Sequence, residues 1–106
     1  MNGQEIDIIK NMKTVEWLKS ELLSNIAYLY RLFVNNEDIS KENLEDTISN
    51  IILESYVLGK RIGLNYTDID LTLKENIKLN LIKEHKIERW YGDLSQLLEH
   101  IESRAK

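Results

Sequence analysis

The absence of proline most constrains what this chain can fold into. Its 106 residues contain no proline and only four glycines, against 30 leucines and isoleucines. Proline breaks a helix in its interior and glycine weakens one, whereas leucine favours helix formation. The sequence therefore predicts an all-α fold, an antiparallel bundle of four to five helices, in a single domain over residues 1–106.

Composition also excludes several classes of protein. The chain has no cysteine, which rules out a disulfide scaffold and a cysteine-ligated zinc site. No apolar run approaches the roughly 20 residues that span a bilayer, and the first ten residues are too polar for a secretory signal. A net charge of −4 argues against a nucleic acid polymer as the main partner. We therefore expect a cytoplasmic protein without a membrane partner.

The first long helix is predicted to begin at Thr14, which suits an N-cap, and to end at about Val34. Its apolar stripe comprises Leu18, Leu22, Ile26, Leu29, Tyr30 and Phe33. Residues 1–12 would form a loosely docked N-terminal segment, folded as a short extra helix. The polar residues 35–38 are predicted to be a loop.

The second helix is predicted to run from Lys41 to about Ile62, with Ser40 as its N-cap and Gly63 as its left-handed C′ residue. Its apolar stripe comprises Leu44, Ile48, Ile51, Ile52, Leu58 and Ile62. The apolar faces of these helices are wider than one packing seam needs. We therefore expect a second copy of the chain to cover the excess.

A third helix is predicted from Thr67, which would form a capping box with Asp70. Its inner side would carry Leu73, Ile77 and Leu81. Residues 90–92 indicate a break before a fourth helix, which either Asp93 or Ser95 could cap. Trp90 and Tyr91 at this break have two interpretations, a core anchor or a surface that stacks on a bound base.

Polar residues recur at helical spacing in both long helices. Glu42, Asp46, Asn50 and Glu54 follow one another every four residues, and Glu21 and Asn25 have the same spacing. The candidate metal ligands are Glu21, Asn25, Asp46, Asn50 and Glu54, because Mg²⁺ prefers clustered oxygen donors. In the alternative interpretation Glu42, Asp46 and Glu54 face solvent, whereas Asn25 and Asn50 form hydrogen bonds in the core.

Three segments resemble the MazG-type nucleotide pyrophosphohydrolases. They are residues 17–27 (WLKSELLSNIA), residues 45–53 with 56–65 (EDTISNIIL and YVLGKRIGLN), and residues 84–95 (EHKIERWYGDLS). The last segment is similar to a closing signature of a divergent MazG-like branch from anaerobic Gram-positive bacteria. The resemblance covers roughly residues 12 to 102.

The resemblance implies Mg²⁺-dependent hydrolysis of nucleoside triphosphates to monophosphates and pyrophosphate, in a homodimer or a dimer of dimers. The family's acid motifs are incomplete here: Glu21 remains from the first motif, with Asn25 or Ser24 at its last acid. The second motif falls on Thr47 and Asn50, with Asp46 one place early.

Lys74 and Lys78 resemble the family's basic residues and are the candidate phosphate ligands, although ordinary exposed lysines would show the same spacing. No catalytic residue is assigned. Two functions follow from the residues and the resemblance. One is a pyrophosphohydrolase with a reduced acid set, and the other is an inactive homo-oligomeric helical module that binds a nucleotide or a protein.

Overall fold

A computed structural model describes residues 3–35, 39–83 and 86–104 of the chain. Within these ranges it has five α-helices and no strand: α1 (Gly3–Val34), α2 (Lys41–Arg61), α3 (Tyr66–Ile82), α4 (Lys86–Tyr91) and α5 (Asp93–Arg104). The predicted all-α class with four to five helices is confirmed. None of the helices described combines the length and apolar character that a membrane span requires.

Contacts within the chain group it into two compact units, residues 1–66 and residues 67–106. The first unit holds α1, α2 and the first residue of α3. The second unit holds the rest of α3 together with α4 and α5. The single domain over residues 1–106 stays a prediction.

Helix α1 begins at Gly3, so the predicted start at Thr14 is wrong. The Thr14 hydroxyl donates a hydrogen bond of 2.8 Å to the Lys10 carbonyl oxygen, one turn earlier in the same helix. A threonine hydroxyl can bond the preceding turn as readily as it caps a helix, and sequence does not separate the two. Residues 3–12 therefore continue α1 instead of forming a separate short helix.

The predicted end of α1 at Val34 is confirmed. The Asn35 N–H group donates 2.9 Å to the Arg31 carbonyl oxygen and closes the last turn. Residues 36–38 of the predicted loop lie outside the residues that the structure describes.

Helices α1 and α2 pack side by side and run antiparallel. Asn11 near the start of α1 bonds the Arg61 carbonyl oxygen at the end of α2, with 3.1 Å between the Asn11 Nδ2 and that oxygen. Further along α1, Asn25 bonds Glu54, seven residues earlier in α2. Residue numbers rise along α1 while those of the bonded partners fall along α2, which shows that the two helices are antiparallel.

The buried positions of α1 follow a stripe slightly different from the predicted one. Leu18 is buried as predicted, and Leu32 is the most deeply buried large side chain described, at 1% exposed. Phe33 and Tyr30 were assigned to this stripe, but both are exposed. Leu18, Asn25 and Leu32 are seven residues apart and lie on the same side of α1. This spacing directs Leu32 towards α2 in place of Phe33.

Both ends of α2 form as predicted. The Ser40 hydroxyl oxygen accepts a hydrogen bond of 3.0 Å from the Asn43 N–H group. At the other end Gly63 has a φ of 104°, a backbone conformation that is strained for any residue with a side chain. The Leu64 N–H group then donates to the Gly59 carbonyl oxygen, and Gly63 donates to Lys60. These are the paired bonds of a Schellman motif.

Helix α3 begins at Tyr66, so Thr67 lies inside the helix and its predicted capping role is wrong. The inner side of α3 is confirmed, because Ile77 is buried and Leu73 and Leu81 are half-buried. Ile101 is the buried residue of α5.

A carboxylate from α4 caps the start of α5. Gly92 separates the two helices with a φ of 69° and has no side chain to serve as a cap. The Glu88 carboxylate accepts hydrogen bonds from both the N–H group and the hydroxyl of Ser95, at 2.8 and 2.7 Å. The predicted cap by Asp93 or Ser95 is therefore wrong, since Glu88 supplies the acceptor and Ser95 is the donor. These bonds, the hydroxyl's first, lower the pKa of Glu88 below its usual value.

The first prediction concerns the core of the first unit. Leu32→Ala is expected to lower the free energy of unfolding by about 2–5 kcal/mol, because it leaves a cavity at a fully buried site. Leu23→Ala is the control on the same helix, since Leu23 is 69% exposed, and it should cost less than about 0.5 kcal/mol. Urea unfolding followed by circular dichroism measures both. Equal losses would contradict the packing described.

A second prediction concerns the cap of α5. Ser95→Ala removes the larger cause of the lowered pKa of Glu88, so that pKa should rise towards its ordinary value of 4.5. Because the folded pKa lies below the unfolded one, the cap stabilises the protein above the unfolded pKa and is lost as pH falls through the folded one. NMR titration of the Glu88 carboxyl carbon measures the shift. Ser103→Ala, at an exposed position of α5, should leave that pKa unchanged.

Candidate functional site

A buried carboxylate lies between α1 and α2. Glu54 on α2 is 8% exposed, and its Oε1 accepts a hydrogen bond of 2.7 Å from the Asn25 Nδ2 on α1. Removing a carboxylate from water is costly unless polar groups replace its hydration, and the Asn25 amide is the donor that does so. The sequence placed both residues among the candidate ligands, and the structure brings these two together.

The other three candidates lie to either side of this pair. Glu21 and Asn50 are half-buried, whereas Asp46 is exposed. Glu21 precedes Asn25 by four residues and Asn50 precedes Glu54 by four, which is about 6 Å of helix rise in each case. Because the helices are antiparallel, these two steps lead in opposite directions along the interface. The candidates therefore form a row with the Asn25–Glu54 pair at its centre.

Thr47 occupies a position where the resembling family has an acid. It is buried, and its hydroxyl donates a hydrogen bond of 2.7 Å to the Asn43 carbonyl oxygen in the same helix. This bond satisfies the hydroxyl within α2. Thr47 therefore acts as a helix-packing residue and adds no negative charge to the row.

The row offers the kinds of oxygen donor that a hard divalent cation binds, but it carries few negative charges. Carboxylate and amide oxygens are the ligands that Mg²⁺ takes in proteins. Among the residues that the structure describes, however, no group of three or more histidine, cysteine, aspartate or glutamate side chains lies close enough together to hold a metal ion. A shared metal site for Glu21, Asn25, Asp46, Asn50 and Glu54 stays a prediction, with Asn25 and Glu54 as its natural centre.

The candidate phosphate ligands lie on α3, in the second unit, and their surroundings differ. Lys74 is half-buried and lines a cleft of about 500 Å³ between α3 and α5, together with Arg104. Lys78 is exposed and is not among the residues that line this cleft. Sequence reasoning missed Arg104, because thirty residues separate it from Lys74 and no local pattern connects them.

Trp90 and Tyr91 are both 67% exposed and meet edge to face, with 6.4 Å between ring centroids. Their interpretation as a core anchor is therefore wrong. The Lys86 Nζ lies 5.9 Å from the centroid of the Trp90 ring, within the range of a cation–π contact. Of the two histidines, His100 is exposed and His85 lies outside the described residues.

An apolar groove runs along the outer side of α2, away from its buried residues. Most of its exposed surface is aliphatic, and its volume is about 690 Å³. Its lining comprises Ile39, Leu44, Ile48 and Ile52 together with the polar residues Ser40, Lys41, Glu45 and Ser49. Ile48 and Ile52 belong to the predicted core stripe of α2, but both are exposed. The residues of α2 that are buried are Thr47, Glu54 and Gly59. The fully buried residues of α2 thus include no large aliphatic side chain. Leu44, Ile51 and Leu58 of the predicted stripe are half-buried.

One comparison with known proteins gives a match. A model of the MazG-like family matches residues 8–94, which include the whole of α2 and α3 and most of α1. A search of curated proteins and a search of solved structures gave no match.

A third prediction tests the pair at the centre of the row. Asn25→Ala removes the donor to a buried carboxylate and is expected to lower the free energy of unfolding by about 1–3 kcal/mol. In the Asn25→Ala/Glu54→Ala double variant the second change should cost far less than it does alone, because the partner is already gone. Urea unfolding of the four proteins measures this coupling. Purely additive costs would contradict the hydrogen bond.

Proposed function

The chain belongs to the MazG-like family, and we propose that it is a Mg²⁺-dependent nucleoside triphosphate pyrophosphohydrolase with a reduced acid set. The proposed reaction uses one water to break the bond between the α and β phosphates. Its products are a nucleoside monophosphate and pyrophosphate. Such a substrate would meet the protein in the cytoplasm.

The observation that carries the proposal is the buried Glu54 carboxylate between α1 and α2. Burying a charged group lowers stability unless it is well compensated, so a buried acid at a helix interface is a candidate for functional use. Thr47, one of the positions where the family's acids belong, is satisfied within its own helix, which leaves Glu54 as the buried acid of the row.

Glu54, Asn25 and Glu21 are the residues best suited to hold the metal ion. Asn50 and Asp46 lie on the opposite side of the Asn25–Glu54 pair from Glu21. A bound Mg²⁺ would supply Lewis-acid polarisation of phosphate oxygens. The chain's own contribution is to present the two carboxylates and to orient Glu54 through the Asn25 amide. Lys74 and Lys78 are the proposed phosphate ligands on α3.

The proposed partner is a second copy of the chain, in a homodimer or a dimer of dimers. The aliphatic groove formed by Ile39, Leu44, Ile48 and Ile52 supports this, because it leaves contiguous apolar surface on α2 open to solvent. Burying such a surface against an identical helix contributes hydrophobic free energy that the exposed Ile48 and Ile52 do not contribute within one chain.

The second candidate function is an inactive homo-oligomeric module that binds a nucleotide or a protein. The Asn25 amide favours it, since its hydrogen bond already satisfies one oxygen of Glu54. In this function the pair would be a structural contact between two helices. The two candidates differ in one measurable property, dependence on a divalent metal ion.

The fourth prediction distinguishes them by pyrophosphate release from a panel of canonical and modified nucleoside triphosphates with Mg²⁺ or Mn²⁺. Glu54→Gln and Glu21→Gln are expected to abolish release. One charge about 4 Å from a cation is worth roughly 4 kcal/mol at an effective dielectric of 20, about a thousandfold in affinity. Asp46→Ala should have a smaller effect, because Asp46 lies furthest from the pair.

Glu16→Gln is the matched control, an exposed acid on α1 whose side chain pairs with Lys19. It should leave pyrophosphate release unchanged. Release that persists in Glu54→Gln would contradict the proposed site. No release from any substrate, together with no metal-dependent rise in the melting temperature, would favour the inactive module.

A further inference from the structure

Helix α4 presents an exposed surface that combines aromatic and cationic side chains. Glu88 is half-buried, whereas every other residue of this short helix is exposed. Trp90 and Tyr91 are each 67% exposed, although tryptophan is highly buried on average in folded proteins. The exposed surface of α4 therefore consists of these two rings together with Lys86, Ile87 and Arg89.

The orientation of this surface follows from the contact between α4 and α5. The Glu88 carboxylate accepts two hydrogen bonds from Ser95 and so turns its side of α4 towards α5. Lys86 and Trp90 lie two positions to either side of Glu88, and each therefore points about 160° away from it around the helix. The Lys86 Nζ lies 5.9 Å from the centroid of the Trp90 ring. Lys86 and Trp90 thus share the side of α4 that faces away from its contact with Ser95.

The segment that contains α4 is basic, although the chain as a whole is acidic. Residues 76–92 contain four cationic and two acidic residues, whereas the net charge of the chain is −4. The cations are Lys78, Lys83, Lys86 and Arg89, and the acids are Glu84 and Glu88. The Glu88 carboxylate is engaged by Ser95 on α5. The exposed surface of α4 is therefore complementary in charge to an anionic partner.

Two further exposed residues come just before α4 in the chain. Ile82 at the end of α3 is 78% exposed, and Lys83 is exposed as well. Four residues of extended chain span at most about 14 Å, so both residues lie within that distance of Lys86. They add one aliphatic and one cationic side chain near the exposed surface of α4.

These residue types are the ones that bind at the boundary between a membrane and water. Tryptophan and tyrosine rings concentrate there because each has an apolar body and a polar tip. Lysine and arginine place their alkyl stems in the apolar layer and their charges among anionic headgroups. The geometry suits nucleic acid bases less well. The rings of Trp90 and Tyr91 are inclined at 88°, so they form no common platform on which successive bases could stack.

We propose that the exposed surface of α4 binds the anionic surface of a lipid membrane. Trp90 and Tyr91 enter the layer between headgroups and acyl chains, and Lys83, Lys86 and Arg89 contact anionic headgroups. The expectation of no membrane partner rests on the lack of a spanning segment, which a surface contact of this kind does not need. The inference is independent of the proposed enzymatic function.

The fifth prediction uses co-sedimentation of the full chain with lipid vesicles, without nucleotide or metal ion. Vesicles of phosphatidylserine and phosphatidylcholine in equal amounts should bind the chain, and vesicles of phosphatidylcholine alone should not. Added salt should weaken binding, because it screens exposed charges. Trp90→Ala should weaken it about tenfold or more, since the burial of the ring is lost. Lys86→Gln and Arg89→Gln should each weaken it about fivefold, the typical effect of one cation at an anionic membrane.

Two matched controls lie on α1. Trp17 is 60% exposed and Lys13 is exposed, so Trp17→Ala and Lys13→Gln remove similar side chains from a different surface. Both should leave vesicle binding unchanged. All the altered side chains are exposed, and equal melting temperatures of the variants and the unaltered chain establish that the fold is intact.

Tryptophan fluorescence reports whether the ring enters the lipid. The chain has two tryptophans, so Trp90 is the remaining one in the Trp17→Phe variant. Its emission should shift to shorter wavelength when anionic vesicles are added, because the ring leaves water. No shift, no binding to anionic vesicles, equal binding to phosphatidylcholine vesicles, or an equal loss in Trp17→Ala would overturn the inference.

A single-stranded oligothymidylate tests the other class of anionic partner. Trp90-dependent binding of the oligonucleotide, without vesicle binding, would reject the lipid surface and assign α4 to nucleic acid. The result is separable from that of the proposed function. Vesicle binding by a chain that releases no pyrophosphate would leave the inference standing and reject the enzyme, and Glu54-dependent hydrolysis without vesicle binding would do the reverse.

Discussion

The hydrogen bond between Asn25 and Glu54 is the constraint on which the first unit depends. A carboxylate at 8% exposure must have its lost hydration replaced, and the 2.7 Å contact with the Asn25 amide does so across the two helices. The contact also fixes which residues of α1 and α2 lie opposite each other. Leu18 and Leu32, seven residues to either side of Asn25, then become the apolar anchors of the same stripe. The alignment of α1 with α2 that forms the Asn25–Glu54 hydrogen bond is therefore the one that also buries Leu18 and Leu32.

The same alignment of the two helices leaves part of the aliphatic surface of α2 exposed. A helix that buries Thr47, Glu54 and Gly59 gains less hydrophobic stabilisation than one that also buries Ile48 and Ile52. The aliphatic side chains Ile48 and Ile52 are left on the exposed side. The same arrangement therefore supports both parts of the proposed function, since it keeps a polar row inside for ligands and offers an aliphatic surface for a second copy. An ordinary amphipathic helix would provide neither.

Sequence reasoning succeeded where the deciding interaction is local and failed where it is not. The Ser40 cap and the Gly63 turn depend on neighbours within a few residues, and both were predicted. Thr14 also offered a local signal, but its hydroxyl had two possible acceptors and the sequence does not choose between them. The cap of α5 by Glu88 depends on the turn at Gly92, and the placement of Lys74 and Arg104 in one cleft depends on how two helices pack. No helical periodicity encodes either. For the candidate site, the sequence predicts Asn25 and Glu54 as possible ligands, but it does not predict that they form a hydrogen bond with each other.

The incomplete acid motif changes how this chain would have to bind a nucleotide. With Thr47 uncharged and Asn25 in place of an acid, the row holds fewer negative charges than the family's motif, so a cation there would be held less tightly. Phosphate oxygens would then have to supply more of the metal's coordination. In the proposed function the affinity for the metal ion would therefore depend on the substrate, and metal binding would follow substrate binding instead of preceding it.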